Sequence, residues 1–204
     1  MKKRRYLSKL ALVALLAFPL QNLCAQHRRN ALILVPSSVI LQNAGNMGTV
    51  SLGAGWQYGR DHWETQVLGG FIPKHDSTRP KFTMTFKENF VPWNLQAGKR
   101  WEIQPLTATM YVNAVFGHEF WAHQPNRYPN KYYDYLSTKY RVNVGLGQRV
   151  TLRFSEHVSK RVQSASLFYE VSTCDLYIRA ATMNRDVKLG HILGLSLGVK
   201  ARLR

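Results

Sequence analysis

The sequence is poor in cysteine, in acidic side chains and in long apolar runs, and each shortage excludes a class of protein. There are two cysteines, Cys24 and Cys174, and Cys24 falls in an N-terminal stretch that reads as a cleaved export signal. Cys174 alone is then left in the mature chain. No intramolecular disulfide can form, so a closed sheet has to supply the stability that small exported domains often take from disulfides. Beyond the first 25 residues no apolar run reaches the ~18 residues of a membrane-crossing helix. Asp and Glu number 11 against 28 Lys and Arg, so the chain is strongly basic.

The export signal accounts for part of that charge. Lys2, Lys3, Arg4 and Arg5 precede an apolar stretch from Leu10 to Leu16, closed by Phe18 and Pro19, and the small Ala25 stands before Gln26. Charged, apolar and small residues in that order make a secretory signal peptide, with an apolar core too short to anchor the chain. Leu23 ahead of Cys24 is too bulky for a good lipid-attachment site, so cleavage after Ala25 is preferred. The expected division is residues 1–25 as signal and 26–204 as one domain. The mature part then carries 23 Lys and Arg against 11 acidic residues, a net charge of +12. Such a balance ordinarily points to nucleic acid, a partner that export removes. Phosphate-rich lipid headgroups, or a cationic barrel lumen, fit it better.

What the chain does have is alternation. From Gly190 to Arg204, His191, Leu193, Leu195, Leu197, Val199, Ala201 and Leu203 share one side; Ile192, Gly194, Ser196, Gly198, Lys200, Arg202 and Arg204 share the other. Successive side chains of a strand point to opposite faces, so one face is apolar and the other small, polar or cationic. The run is about twice the length of an ordinary globular strand. A tilted strand crosses a bilayer in ~9–11 residues.

The pattern recurs upstream. Asn30 to Leu41 is apolar and β-branched, with Pro36 marking an edge or a bend. Between Gly48 and Tyr58, Val50, Leu52, Ala54, Trp56 and Tyr58 oppose Thr49, Ser51, Gly53, Gly55 and Gln57. A tight turn at Arg60-Asp61 leads to Trp63, Thr65, Val67, Gly69 and Phe71 against Glu64, Gln66, Leu68 and Gly70, which predicts a hairpin. Phe82, Met84 and Phe86 alternate with Thr83, Thr85 and Lys87 on a strand able to pass Pro92 towards Ala97. Leu106 to Phe116, Tyr140 to Leu146 and Ala165 to Val171 complete the set. Leu176 and Ile178 share the parity of Cys174, a slip that predicts a β-bulge. Outward loops are expected at 42–46, 73–80, 118–135 and 183–189, and opposite turns at 60–61, 98–104 and 151–162. The expected fold is all-β, an eight-stranded antiparallel up-and-down transmembrane β-barrel, apolar outside and polar inside. A periplasmic β-sandwich binding module is the alternative.

Together, the signal segment and the alternating segments from Gly48 to Arg204 resemble the small eight-stranded outer-membrane β-barrels of Gram-negative bacteria. The resemblance covers most of the mature chain and is one of pattern, with no diagnostic motif. It departs at the end: such barrels often finish on an aromatic residue that the assembly machinery recognises, and this chain finishes Leu203-Arg204. The resemblance implies the cell outer membrane and a choice of roles: passive anchoring, adhesion, a small porin-like channel, or lipid modification of the lipopolysaccharide acyltransferase or deacylase type. No catalytic motif is evident. The leading expectation is therefore a structural or surface-interaction role, with outer-membrane lipids or lipopolysaccharide as partners and no cofactor.

Lipid-modifying barrels need a Ser activated by a His at the outer rim. His75, Asp76 and Ser77 fall in an expected outward loop, but adjacent residues do not face each other as nucleophile and base must. Ser77 with His118 or His123 is the workable pairing, and ordinary loop polarity is the preferred reading. His118, Glu119 and His123 are ligand types for zinc. Their spacing is not that of a helical HExxH, and Pro125 and Pro129 forbid a long helix, so no metal is expected. Cys174 beside Asp175 reads as a small packed side chain. Phe120, Trp121, Tyr128, Tyr132 and Tyr133 suit a sugar ring or a partner protein as well as they suit an interfacial girdle. Lys139, Arg141, Arg179, Lys200 and Arg202 are expected to point inward, with Glu64, Glu88 and Glu170. An eight-stranded barrel is filled by its own side chains, so these charges predict an ion-pair network and not a conducting path.

Overall fold

The computed structural model describes residues 35–203 apart from 45–46, 75–78, 118–138, 156–160, 184–189 and 191. Among these residues the elements are β1 Ser38–Ala44, β2 Val50–Tyr58, β3 Trp63–Ile72, β4 Lys81–Phe90, β5 Leu95–Ala97, β6 Trp101–Phe116, β7 Tyr140–Arg153, β8 Val162–Cys174, α1 Asp175–Met183 and β9 Gly194–Leu203. The strands form one antiparallel sheet in the order β4-β3-β2-β1-β9-β8-β7-β6-β5, and β4 also pairs with β6, which closes it. β5 continues β4: Phe90 lies opposite Ala108 and Leu95 opposite Ile103, both on β6. The barrel thus has eight staves in up-and-down order. The two-sheet sandwich does not hold, because the sheet returns on itself.

β1 and β9 make the closing seam, in register from Ser38↔Arg202 to Ala44↔Ser196. Pairing begins after Pro36, which has no N–H to give. Ser37 is the first residue tied in, its N–H donating to Gly55 O at 2.9 Å while its carbonyl accepts from Leu203 N at 2.8 Å. Residues 30–34 of the expected first strand lie outside the described residues. Closure also demands stagger. A path of register partners from Ser38 runs through Gly55, Gln66, Lys87, Tyr111 and Asn143 to Cys174. It starts at the first residue of β1 and finishes at the last residue of β8.

The β4–β5 stave is broken at Val91–Asn94, and β6 bulges between Gln104 and Thr107. Pro92 and Pro105 fall at these facing irregularities, where each removes a ladder donor. The break is pinned to the β2–β3 turn instead: Val91 N–H donates to His62 O at 2.8 Å, and His62 Nδ1 lies 2.7 Å from Val91 O. That turn holds Gly59, Arg60 and Asp61 in the left-handed region, at φ 61°, 59° and 67°.

Two expectations are corrected. The bulge placed near Cys174 is absent: the β7–β8 ladder runs unshifted to Asn143↔Cys174, and Asp175 opens α1. Leu176, Ala180 and Met183 recur at helical spacing among good helix formers, and over four residues that spacing passes for a strand with slipped parity. The last strand begins at Gly194 and not at Gly190.

Burial in this barrel is inverted. Side chains pointing inward are polar and hidden, as with Gln42, Glu64, Gln66, Lys87 and Asn89, while Leu52, Phe82 and Leu167 on the outer wall are 59%, 63% and 64% exposed. Outward aromatics gather at two heights. Phe71, Phe82 and Phe116 are successive register partners near one end, joined by Tyr140. Trp56, Tyr58, Trp63, Phe90, Trp93 and Trp101 lie near the other, with Trp63 and Phe90 ring centroids 4.7 Å apart. Phe82 and Phe90 stand on the same strand, roughly 26 Å apart along it at ~3.3 Å per residue, or about 20 Å of barrel height at a ~40° tilt. Between the belts the outer wall carries Leu52, Val67, Met84, Phe86, Val112 and Val144.

Candidate functional site

The functional candidate is the lumen, built by the inward parity of every stave. Its middle layer is packed. Lys87 Nζ bonds Glu170 Oε2 at 2.5 Å, and its ammonium stands 5.9 Å from the Tyr111 ring centroid and 5.7 Å from that of Phe168. Tyr111 Oη and Ser172 Oγ are 2.9 Å apart. Glycine on facing staves makes room for these side chains. A Cβ on Gly198 would stand 2.3 Å from Phe168 Cζ, and one on Gly53 2.8 Å from Leu68.

Next to this layer Glu64 binds two cations, Arg149 Nη1 at 2.8 Å and Lys200 Nζ at 2.7 Å. Gln66 Nε2 donates to the same carboxylate at 2.8 Å. Charged groups out of water are tolerated when paired and hydrogen-bonded, and removal of one partner is then costly. Towards the β2–β3 turn a cavity of about 170 Å³ follows, edged by two further pairs. Arg153 Nη2 meets Glu102 Oε2 at 2.5 Å, and the Arg202 guanidinium forks onto Asp61 at 3.1 and 3.4 Å. At the opposite mouth Arg141 lies 3.7 Å from Asp175.

Glu170 and Lys200 are therefore in the lumen, and Arg202 and Arg141 stand at its two mouths. Lys139 stands at the rim, its ammonium 5.8 Å from the rings of Phe116 and Tyr140. Arg179 belongs to α1 and to no stave. Glu88 points outward, because Lys87 and Asn89 on either side of it are the buried ones. There it accepts hydrogen bonds from Tyr58 Oη and, at 2.6 Å, from Thr65 Oγ1. Lys87, Arg149, Tyr111 and Phe168 were not singled out from the sequence. Arg149 could have been, since it keeps the parity of Asn143 and Gly145 once the strand is carried past Leu146.

His75, Asp76, Ser77, His118, Glu119, Phe120, Trp121, His123, Tyr128, Tyr132 and Tyr133 lie outside the described residues. Among the described residues no three His, Cys, Asp or Glu side chains converge as metal ligands do. No described helix is long and apolar enough to cross a membrane, which says nothing about strands. Comparison with protein-family models, with curated proteins and with solved structures gives no match, so a functional reading has to come from the lumen and the outer wall.

Proposed function

We propose that the chain is an outer-membrane β-barrel with a structural or surface-interaction role, residues 1–25 serving as its export signal and 26–204 forming the barrel. The observation that carries this is the inverted burial: a largely apolar outer wall, on which Glu88 and Thr65 bond each other near one belt, around a polar, ion-paired interior. In water that wall would expose a very large apolar patch, whereas hydrocarbon is the solvent it matches. Two aromatic belts separated by a band about 20 Å high agree with a bilayer core flanked by its interfaces. Exposed cations sit beyond both belts, Lys74 and Arg79 at one end and Arg60, Lys99, Arg100 and Arg161 at the other. They suit the phosphates of lipid and lipopolysaccharide headgroups. The mid-lumen packing of Lys87, Glu170, Tyr111 and Phe168 argues for a closed barrel, so interaction falls to the outward loops, among them 118–135 with its aromatic residues.

The test is expression of the full chain with an envelope fractionation, followed by planar-bilayer recording. The expected result is a detergent-requiring protein in the outer-membrane fraction whose gel migration changes on boiling, with no stepwise conductance. A detergent-free soluble monomer would overturn the membrane reading, and open-channel steps would overturn the closed lumen.

A further inference from the structure

Below the β2–β3 turn the sheet keeps one open edge. β5 pairs with β6 alone and stands last in the strand order, with no neighbour on its other side among the described residues. Its stave is last tied across at Val91, which meets His62 of that turn. Backbone groups alternate between the two edges of a strand. Arg153 N–H donates to Arg100 O at 2.8 Å, so Arg100 and Glu102 turn their backbone groups to β7, while Trp101 and Ile103 turn theirs to β5. Ala97 and Leu95 are the register partners of those two. The N–H and C=O of Gln96, which lies between them, therefore point away from the sheet at the open edge.

The hairpin around that edge is apolar on its outer face and cationic at its tip. Trp93, Leu95, Trp101 and Ile103 share the outer face and are 56%, 55%, 50% and 39% exposed. Trp101 is the lowest of the lower aromatics. Phe90 pairs with Ala108, and Trp101 lies roughly 20 Å further down β6 at ~3.3 Å per residue, the bulge taking up one residue. Lys99 and Arg100 form the tip, and Arg60 stands on the neighbouring turn; all three are exposed. Glu102 and Asp61, the acidic groups beside them in sequence, are taken by Arg153 and Arg202. An open edge is not tolerated in hydrocarbon, and an apolar one in water is a template for another strand. Proteins usually guard such an edge with charges or Pro along it; Leu95, Gln96 and Ala97 supply neither.

We propose that β5 takes an added strand, an extended acidic segment of a periplasmic protein. It pairs along Gln96, sets apolar side chains on the face of Leu95 and Trp101, and turns carboxylates towards Lys99, Arg100 and Arg60. The sign of the charge selects this occupant. Residues 26–34 of the chain itself carry Arg28 and Arg29 and no acidic residue. A second copy would set Lys99 and Arg100 against their like. Backbone hydrogen bonds supply the attachment, and the apolar and cationic neighbours supply the choice of partner. That the partner is periplasmic rests on the outer-membrane reading; the strand addition needs only the edge.

The experiment is fluorescence anisotropy of labelled heptapeptides with the full chain, refolded in a neutral detergent. Alternating Glu and Val make the acidic probe, and Lys in place of Glu makes the basic one. The expected result is saturable binding of the acidic peptide, with the basic peptide at least about tenfold weaker, since three exposed cations then repel where they had attracted. Gln96→Pro removes the outward N–H and no β5–β6 bond, and should weaken the acidic peptide at least about fivefold; Gln96→Ala keeps that N–H and should stay within about twofold. Lys99→Glu with Arg100→Glu should reverse the order of the two peptides. Heat-modifiable migration shows that each variant is a folded barrel, and the wild-type ratio with the charge reversal decides the matter even without Gln96→Pro. Absence of saturable binding, equal affinity for the two peptides in the wild type, or a Gln96→Pro chain that binds as Gln96→Ala does would each overturn the proposal. Envelope fractionation answers separately: a soluble barrel that binds the acidic peptide would keep the strand addition and overturn the membrane reading alone.

Discussion

Glu64 is the most exacting test of the lumen. Its side chain is 1% exposed and holds Arg149 and Lys200, themselves 4% and 3% exposed, at 2.8 and 2.7 Å. Glu64→Gln keeps the shape and the hydrogen bond from Gln66 Nε2 but removes the charge, leaving two buried cations side by side. Loss of one partner of a buried pair costs about 3–5 kcal/mol. The adjoining polar cavity lets water relieve part of that, so the low end, about 3 kcal/mol or a factor of more than a hundred in the folding equilibrium, is expected. Asp61→Asn is the control. It removes the partner of Arg202 at the mouth, where the two side chains are 45% and 30% exposed, and pairs in such places are worth less than about 1 kcal/mol. Urea unfolding in lipid vesicles, followed by tryptophan fluorescence, measures both. Lys200→Met added to Glu64→Gln should return part of the loss, since it removes one stranded cation. A Glu64→Gln barrel within about 1 kcal/mol of wild type, or an Asp61→Asn barrel equally weakened, would refute the reasoning.

Three other outcomes are expected. Gly198→Ala places a methyl against the Phe168 ring and should cost about 1–3 kcal/mol in the same unfolding assay, with Phe168→Leu restoring most of it. Met84→Arg puts a charge on the outer wall between the aromatic belts and should cost about 2–4 kcal/mol in a bilayer; for a barrel in water it would be neutral or helpful. Replacement of Lys87, Phe168 and Glu170 together by Ala removes the ion pair and the Phe168 ring from the middle layer, leaves no unpaired charge there, and should give conductance steps in planar bilayers that the wild type lacks.

Most of the barrel was legible because period-two alternation is a direct record of a two-sided wall. Leu195, Leu197 and Val199 against Ser196, Gly198 and Lys200 state the outer and inner faces of β9 without any structure. The legible part fails where alternation has too few residues to speak. Leu176 and Ile178 looked like a strand out of phase and belong to a helix. Glu88 looked like a lumen charge because carboxylates are expected indoors; its neighbours Lys87 and Asn89 had already claimed that face, and the hydroxyls of Tyr58 and Thr65 satisfy it outside. The Glu64–Arg149–Lys200 cluster could not be read, since it joins β3, β7 and β9 across the lumen. Which charges meet there depends on stagger, and stagger follows from the closed register, not from any one strand.

The inside-out wall is tested most directly by asking which side chains touch lipid. In a Cys174→Ser background, single cysteines at Leu41, Met84 and Val144, and at the adjacent Gln42, Thr85 and Asn143, would carry a small fluorophore in vesicles containing doxyl-labelled acyl chains. The first three positions should be strongly quenched and the second three spared, residue by residue along each strand. Equal quenching at neighbouring positions, or none at the first three, would contradict a membrane-spanning barrel.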